Sequence, residues 1–487
     1  MEHVDVLIVG AGLSGIGTAW HVKHRTPERS YAIWEARGGI GGTWDLFRYP
    51  GIRSDSDMHT LGYRFKPWTE AKAIADGPSI LKYVRDTAHD EGIDQHIAFH
   101  TRVTSADWDS TAGRWTVTAQ RDGAAVSITC SFLVMSTGYY SYDEGHLPVW
   151  GGEADFAGKF VHPQFWPEDL DYDGKKVVVI GSGATAMTLV PKMAESAAKV
   201  TMLQRSPTYV VSRPAEDKLA NRMRALFGPK AAYALTRWRN VGWQLFFYNL
   251  TRRKPAKIKD RLIGFVRDAL GPDYDVEKHF TPSYNPWDQR LCLIPDDDLY
   301  TAIRSGKADV VTDTIERFVP AGVKLASGET IPADIIVTAT GLKLNVLGDA
   351  TLSMDGVPIT LGERIIYRGM MLGGVPNLSF VFGYTNASWT LKADLTSEFV
   401  CRLLNRMKST GTTVATPVLA GPVNAEPFLD FSSGYVQRAI DKLPKQGDRA
   451  PWKLHQNYAK DAMTLRYGKL DDGVMRFTNP QRARVAA

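Results

Sequence analysis

Two well-separated segments of the chain each place a glycine-rich turn between a run of β-branched apolar residues and a helical stretch. In the first, residues 4–9 lead into a G-x-G-x-x-G turn at residues 10–15. In the second, residues 175–180 lead into a G-x-G-x-x-A turn at residues 181–186. Strand, glycine turn and helix in this order form the unit that holds a dinucleotide pyrophosphate at the helix N-terminus. The sequence therefore predicts an α/β protein with two dinucleotide-binding, Rossmann-like domains.

The first turn has the residues that each step of this unit requires. Gly10 permits the tight turn, Gly12 lets the backbone approach a pyrophosphate, and Gly15 lets the helix pack on the strand. The next apolar strand, residues 30–34, ends on Glu35, where an acid would bind ribose hydroxyls. Because a carboxylate suits a ribose without a 2′-phosphate, the first site is predicted to take FAD or NAD rather than NADP.

The strand that follows the second turn ends in residues of a different type from the acid that follows the first turn. The turn itself supplies Gly181, Gly183, Thr185 and Ala186. No acid follows; the strand ends at Arg205 and Ser206. A guanidinium can hold a 2′-phosphate through paired N–H donors, which indicates NADP(H) as the second ligand. The alternative is that Arg205 is an ordinary solvated surface charge.

The composition argues against several classes of protein. A net charge of +5 over 487 residues is too small to indicate a nucleic-acid partner. The three cysteines are widely separated, so neither a disulfide framework nor a metal site is predicted, and a reducing cytoplasm is the expected setting. No run of about 18 apolar residues occurs, so no membrane-spanning helix is predicted.

A third pattern, F-x-G-x-x-x-H-x-x-x-W-P, precedes the second turn. It is formed by Phe156, Gly158, His162, Trp166 and Pro167. With a GGTW turn at residues 41–44 and an A-T-G run at residues 339–341, the motifs occur in an order that resembles type I Baeyer–Villiger monooxygenases. The resemblance spans nearly the whole chain. Residues 43–55 and 284–290 are most similar to the ethionamide-activating branch of these enzymes.

This resemblance implies FAD in the first site, NADPH in the second and O₂ as co-substrate. Gly42, Thr43 and Trp44 would lie beside the flavin. Reduced flavin would form a C4a-peroxyflavin that converts lipophilic ketones to esters or lactones, with sulfide oxidation as a side activity. Flavin-containing monooxygenases that oxidise nitrogen or sulfur share the first part of the pattern but usually lack its final Trp-Pro. They are the alternative assignment.

The resemblance also assigns catalytic and cofactor-binding roles. A peroxide anion in a water-poor pocket needs a fixed positive neighbour, and arginine keeps its charge when it is buried. Arg290 would take this role, and Asp55 would lie near the flavin and orient the guanidinium. Gln289 stands where the family has a lysine that contacts NADP. Trp452 resembles a loop tryptophan that closes on the nicotinamide.

Plainer structural readings of the same residues stay open. Arg290 could be an ion-paired core arginine, and Asp55 a turn-forming aspartate, with Asp57 orienting the arginine instead. His162 and Trp166 either couple NADP(H) movement to the chemistry of the flavin or only pack at the joint between the domains. The alternative for Trp452 is an exposed loop tryptophan that has no role in the reaction.

The motifs divide the chain into five predicted segments. They are residues 1–144 and 341–487 for the FAD-binding domain, 145–212 and 286–340 for the NADP-binding domain, and 213–285 for a helical cap. In the cap, Trp238, Trp243 and residues 245–248 form an apolar side that is followed by cationic residues 252–254. We expect the apolar side to be buried and the basic end to be solvated. Contact with an anionic membrane is the less favoured alternative.

Two further functions are compatible with the nucleotide motifs alone. A flavin reductase or NADPH oxidase would need no arginine beside the activated oxygen. The second function is that of a nucleotide-binding protein that lies on a membrane and catalyses no reaction. Only the apolar and basic stretch of the cap supports it. The sequence contains no indication of oligomeric state.

Overall fold

The computed structural model describes residues 2–289, 291–429 and 433–480. The N-terminal part begins with a strand and contains the first glycine turn. Its elements are β1 (His3–Val9), α1 (Leu13–Arg25), β2 (Tyr31–Trp34), α2 (Thr43–Leu46), α3 (Met58–Leu61), α4 (Gly77–Asp90), β3 (Ile97–Ala98), β4 (Thr101–Asp109), β5 (Arg114–Arg121), β6 (Ala124–Met135) and β7 (Tyr140–Gly145).

The middle part contains the second glycine turn and the cap. Its elements are β8 (Lys159–Val161), β9 (Lys176–Ile180), α5 (Ala184–Met193), β10 (Lys199–Gln204), β11 (Val210–Arg213), α6 (Lys218–Arg253), α7 (Pro255–Leu270), α8 (Val276–Phe280), β12 (Cys292–Pro295), α9 (Asp298–Arg304), β13 (Ala308–Thr312), β14 (Ile315–Val319), β15 (Gly322–Leu325), β16 (Thr330–Pro332) and β17 (Ile335–Thr338).

The C-terminal part returns to the first sheet. Its elements are β18 (Leu342–Leu344), β19 (Thr351–Met354), β20 (Val357–Pro358), β21 (Ile366–Tyr367), β22 (Met371–Leu372), β23 (Leu378–Phe380), α10 (Trp389–Thr410), β24 (Val414–Pro417), β25 (Ala425–Pro427), α11 (Gly434–Gln437), β26 (Lys445–Gly447), α12 (Tyr458–Tyr467) and β27 (Met475–Thr478).

Two parallel sheets carry the glycine turns, and their strand orders correspond. The first contains the parallel series β3-β2-β1-β6-β23, which β4, β5, β19 and β20 extend beyond β6. The second is β13-β10-β9-β17-β8, and all its pairs are parallel. In each sheet the strand before the glycine turn is central and lies under helices, so its apolar residues are buried on both faces. The predicted fold class, with two Rossmann-like units and a helical insertion, is confirmed.

The helical insertion is a long hairpin of α6 and α7. α6 changes direction at Gly228, whose φ of 74° and ψ of 167° break the helix immediately before Pro229. Beyond this break, the inner stripe of α6 packs on α3. No helix in the described part of the chain is long and apolar enough to cross a membrane.

The expectation that the apolar side of the cap is buried is wrong for its largest residues. Trp238, Trp243 and Phe246 keep 53%, 57% and 56% of their surface exposed. The residues of this stretch that are buried instead include Tyr233 and Val241. α6 has apolar residues on more than one stripe, and helical periodicity by itself does not say which stripe faces the core.

Candidate functional site

Two cavities meet inside the protein. The inner cavity, about 370 Å³, lies between the two glycine turns and includes Gly10 and Thr185 in its wall. The cap chamber, about 1140 Å³, lies under α6 and includes Trp243 in its wall. Residues that line both are Asp55, Ser56, Leu293 and Ala387. A ligand in the inner cavity would therefore be next to a ligand in the cap chamber.

The first glycine turn leaves no room for side chains. A Cβ on Gly10, whose φ is 104°, would lie 2.6 Å from the carbonyl oxygen of Ser136, and a Cβ on Gly15 would lie 1.8 Å from that of Gly10. α1 begins after Gly12, and no side chain caps its first N–H groups. These N–H groups remain available to an anion, as a bound pyrophosphate requires.

Glu35 lies at the wall of the inner cavity and is 6% exposed. One of its carboxylate oxygens accepts a hydrogen bond from the backbone N–H of Ala11 (2.6 Å), and the other accepts from that of Arg37 (2.8 Å). Burial raises the pKa of Glu35 above its usual value, against these hydrogen bonds. The carboxylate thus fixes the glycine turn, and its remaining lone pairs can still receive ribose hydroxyls.

The GGTW segment closes another side of the inner cavity. Gly42 lies against Gly12, and its Cβ would be 3.0 Å from the Cα of that residue. Thr43 and Trp44 both line the cavity, and the hydroxyl of Tyr140 donates a hydrogen bond to that of Thr43 (2.6 Å). The sequence motifs did not indicate the role of the next residue, Asp45. Its buried carboxylate accepts from three arginines, Arg37, Arg48 and Arg85.

The second glycine turn repeats the geometry of the first. Gly181 has a φ of 136°, and a Cβ on it would lie 2.3 Å from the carbonyl oxygen of Ala339. α5 starts after Gly183, where a Cβ would meet nothing within 4 Å. Thr185, in the first turn of α5, lines the inner cavity, while Ala186 is fully buried beneath it. The N-terminus of α5 therefore faces the cavity of the first turn.

The residues predicted to contact the 2′-phosphate lie at the surface. Arg205 and Ser206 are exposed at the end of β10, and the carbonyl of Ser206 accepts a hydrogen bond from Ser182 (3.2 Å) in the second turn. Gln289 is half-buried. None of these three lines the inner cavity or the cap chamber. Arg205 and Ser206 are therefore accessible, beside the second turn, to a nucleotide that enters from solvent.

Asp55 and Asp57 have different surroundings. Asp57 caps α3 through the N–H of Thr60 (3.1 Å), and its oxygens also accept from Asn240 (2.9 Å) and Gln244 (3.3 Å) of α6. Asp55 lines both cavities. The oxygens of Asp57 thus serve α3 and the cap, whereas Asp55 lies where the two cavities meet. Arg290 lies outside the described residues.

The cap chamber contains two buried polar atoms that sequence reasoning missed. Among the described residues, the indole Nε1–H of Trp287 and the side-chain oxygen of Gln244 have no hydrogen-bond partner, and both residues line the chamber. Trp287 also has a φ of 73°, which is strained for a bulky side chain. A buried donor and a buried acceptor without partners each cost free energy, and nothing in the described residues offsets that cost. No sequence motif indicated them.

The F-x-G-x-x-x-H-x-x-x-W-P segment lies at the joint between the two sheets. A Cβ on Gly158 would lie 2.3 Å from the carbonyl of Asp334, and Phe156 is buried. Burial and nearby His146 lower the pKa of His162. Neither His162 nor half-buried Trp166 lines either cavity, and Pro167 is exposed. The placement favours the packing-joint alternative for this segment.

Trp452 does not occupy the place expected for a tryptophan that closes on the nicotinamide. It is 3% exposed and packs against Tyr367, with ring centroids 5.7 Å apart. It lines neither the inner cavity nor the cap chamber. Its segment is instead fixed to the wall of the chamber nearby, since the backbone carbonyl of Gln456 accepts a hydrogen bond from Asn386 (2.8 Å).

Comparisons with known proteins agree with this geometry. Residues 8–75 match the model of an NAD(P)-binding Rossmann-like domain, and residues 73–231 match that of a flavin-binding monooxygenase-like family. The FAD-containing monooxygenase EthA of Mycobacterium tuberculosis is 55% identical over 478 residues, which cover 98% of each chain. The structure of oxidized steroid monooxygenase bound to NADP has a TM-score of 0.76 at 22% identity, covering 98% of this chain and 100% of that one. OTEMO in complex with FAD and NADP has a TM-score of 0.71 at 24% identity, covering 86% and 87%.

Proposed function

The chain belongs to the FAD-containing monooxygenases, and we propose that it is a Baeyer–Villiger enzyme of this family that uses NADPH and O₂ to convert lipophilic ketones to esters or lactones. The observation that carries the proposal is the junction of the inner cavity and the cap chamber at Asp55. Trp287 and Leu291, which flank the segment that contains Arg290, line the chamber as well. A substrate under the cap would therefore lie between the cofactor and this segment.

The residues of the inner cavity fit FAD. The turn admits no side chain at Gly10 or Gly15, and the uncapped N-terminus of α1 suits a pyrophosphate. Glu35 would hold the ribose, and Thr43 and Trp44 would border the flavin. Bound FAD, reduced by NADPH at the second turn, would supply the activation of O₂.

The walls of the inner cavity would keep water from the reacting oxygen. Tyr139 and Trp389 stack with centroids 5.1 Å apart, and both line the cavity. The indole N–H of Trp389 donates to the hydroxyl of Ser14 (2.8 Å), which fixes the ring beside the first turn. A dry, rigid wall strengthens every electrostatic interaction inside it.

The guanidinium of Arg290 would stabilise the negative charge that develops on the substrate oxygen as the carbonyl is attacked. A fixed cation in a water-poor site is one of the largest contributions that a protein makes to such a step. Asp55 would orient the guanidinium by a charge-assisted hydrogen bond. The product is the ester or lactone, and sulfide oxidation is proposed as a side activity of the same site.

The substrate class follows from the cap chamber. Trp243, Phe247, Trp287 and Leu291 give its wall a large apolar area. An apolar wall with few polar groups suits lipophilic ketones rather than charged ones.

The test compares the parent protein with the Arg290→Ala and Arg290→Lys variants on a panel of linear, cyclic and aryl ketones. Flavin reduction by NADPH is followed in a stopped-flow instrument, and esters are measured by mass spectrometry. We expect Arg290→Ala to keep the rate of flavin reduction and to lose ester formation by at least about 100-fold, with hydrogen peroxide formed instead. Ester formation by Arg290→Lys should lie between that of the parent and that of Arg290→Ala.

Arg114→Ala is the matched control because it removes an exposed guanidinium that lines neither cavity and keeps the charge at 290. It should retain ester formation. Ester formation by Arg290→Ala at a rate close to that of the parent would contradict the role of the arginine. A parent protein that consumes NADPH and gives only hydrogen peroxide, or only N- and S-oxides, would contradict the proposed reaction.

A further inference from the structure

The cap presents an unusual surface to solvent. Seventeen large apolar side chains are exposed in the described part of the chain, and eight of them lie on α6 and α7. They are Leu219, Leu226, Phe227, Leu235, Trp238, Trp243, Phe246 and Phe265. On the second half of α6, Leu235, Trp238 and Phe246 fall on one side of the helix by their spacing, and we call this side the outer stripe. We call the eight exposed residues of α6 and α7 the outer cap face. Clustered exposed apolar residues usually mark an interaction surface.

The same hairpin carries a concentrated positive charge. Residues 218–270 contain thirteen Lys and Arg and only two acidic residues, Asp260 and Asp268, which gives a net charge of +11. The whole chain has a net charge of +5, so the rest of the protein carries −6. In the described structure, no ion pair involves the exposed cations Arg253, Lys257 and Arg261. The outer cap face is therefore an apolar surface in a strongly positive field.

The outer cap face continues into the entrance of the cap chamber. Trp243 is 57% exposed, and it also lines the chamber together with Phe247 one turn further along α6. The rings of Trp243 and Phe246 stack with centroids 5.7 Å apart, which joins the chamber wall to the outer stripe. A lipophilic molecule that left the surface in contact with the outer cap face would enter the chamber directly.

We propose that the outer cap face docks on an anionic phospholipid surface, from which lipophilic substrates enter the cap chamber. Tryptophan, phenylalanine and leucine insert at the interface of a bilayer, and lysine and arginine are attracted by anionic headgroups. A second copy of this chain is a poor occupant, because two such faces would bring +11 against +11. The docking itself does not depend on the ketone chemistry proposed above.

The test measures binding of the FAD-loaded protein to vesicles by flotation. Vesicles of phosphatidylcholine and phosphatidylglycerol in equal parts are compared with vesicles of phosphatidylcholine alone. We expect binding to the anionic vesicles that weakens as salt is added, and little binding to the neutral ones. The triple variant Arg253→Gln, Lys257→Gln, Arg261→Gln should reduce the partition coefficient about 100-fold. The double variant Leu235→Gln, Phe246→Gln should reduce it at least about tenfold.

Matched controls make the same chemical changes elsewhere on the surface. Lys159→Gln, Lys175→Gln and Lys307→Gln remove three exposed cations of the NADP-binding unit, and Val149→Gln with Val357→Gln replaces two exposed apolar residues. Both controls should bind like the parent, and all variants should retain FAD. The proposal is overturned by absence of binding to anionic vesicles, by equal losses in variants and controls, or by self-association through the same residues in analytical ultracentrifugation.

Discussion

Arg237 is the polar anchor between the cap and the FAD-binding unit, and its replacement gives the sharpest test of the structure. It lies on the inner stripe of α6 and is 4% exposed. Its guanidinium donates to the carbonyls of His59 (2.8 Å) and Gly62 (2.8 Å) and to the carboxylate of Asp394 (3.3 Å). The carboxylate of Asp394 also lies 3.5 Å from the imidazole of His21. Although burial opposes it, His21 and Arg237 hold the pKa of Asp394 below its usual value.

The Arg237→Met variant keeps most of the volume of the side chain and removes its charge and donors. Asp394 would then be a buried carboxylate that has lost its guanidinium partner, a loss that costs about 3–5 kcal/mol in comparable buried pairs. The carbonyls of His59 and Gly62 would lose a donor as well. We expect the free energy of unfolding to fall by about 3–5 kcal/mol, measured by urea denaturation of the FAD-loaded protein.

A double-mutant cycle separates the charge from the packing. Arg237→Met combined with Asp394→Asn removes the uncompensated charge, so the double variant should be more stable than the sum of the two single losses predicts, by about 1–3 kcal/mol. Lys82→Met breaks an exposed pair with Asp86 on α4 and should leave the unfolding midpoint unchanged. Additive losses in the cycle, or a parent-like midpoint for Arg237→Met, would refute the reasoning.

Three further predictions address residues of the site. Trp287→Phe shrinks a side chain in the chamber wall and removes an N–H without a described partner; the KM for ketone should rise about fivefold while flavin reduction by NADPH is unchanged, and an unchanged KM would exclude a contact with substrate. Trp452→Ala should lower the free energy of unfolding by about 3–5 kcal/mol because it empties a buried site, and a selective rise in the KM for NADPH would instead restore its expected role at the nicotinamide. Arg205→Ala should raise the KM for NADPH about tenfold or more and leave that for NADH nearly unchanged, whereas equal changes would exclude a contact with the 2′-phosphate.

The elements that are specified by local sequence were predictable. Both glycine turns follow buried strands because no other residue fits at Gly10 and Gly181, where a Cβ would collide with a backbone carbonyl. The order of motifs then identified two Rossmann-like units. The pairing of β23 with β6 was not predictable, since it joins residues about 245 positions apart and depends on tertiary packing.

The residues of the candidate site were predictable where one motif specifies both the residue type and its place in the fold. The glycines, Glu35 and Asp55 all line the inner cavity or its turn. Trp452 shows the limit of that reasoning. A resemblance transfers the residue type, but burial against Tyr367 depends on distant strands that the motif does not contain. Trp287 was missed for the opposite reason, because an unpartnered buried N–H is a property of the folded chamber and has no sequence signal.

The orientation of α6 explains why the cap was the least predictable part. Its inner stripe presents Arg237, Asn240 and Gln244, each of which donates a hydrogen bond to the FAD-binding unit. Its outer stripe presents Trp238 and Phe246. Burying these groups without acceptors would cost more free energy than exposing aromatic rings, so the helix turns inward the stripe that can donate hydrogen bonds to the FAD-binding unit. These donated hydrogen bonds, rather than apolar burial, set which stripe of α6 packs on α3 and which stripe faces solvent.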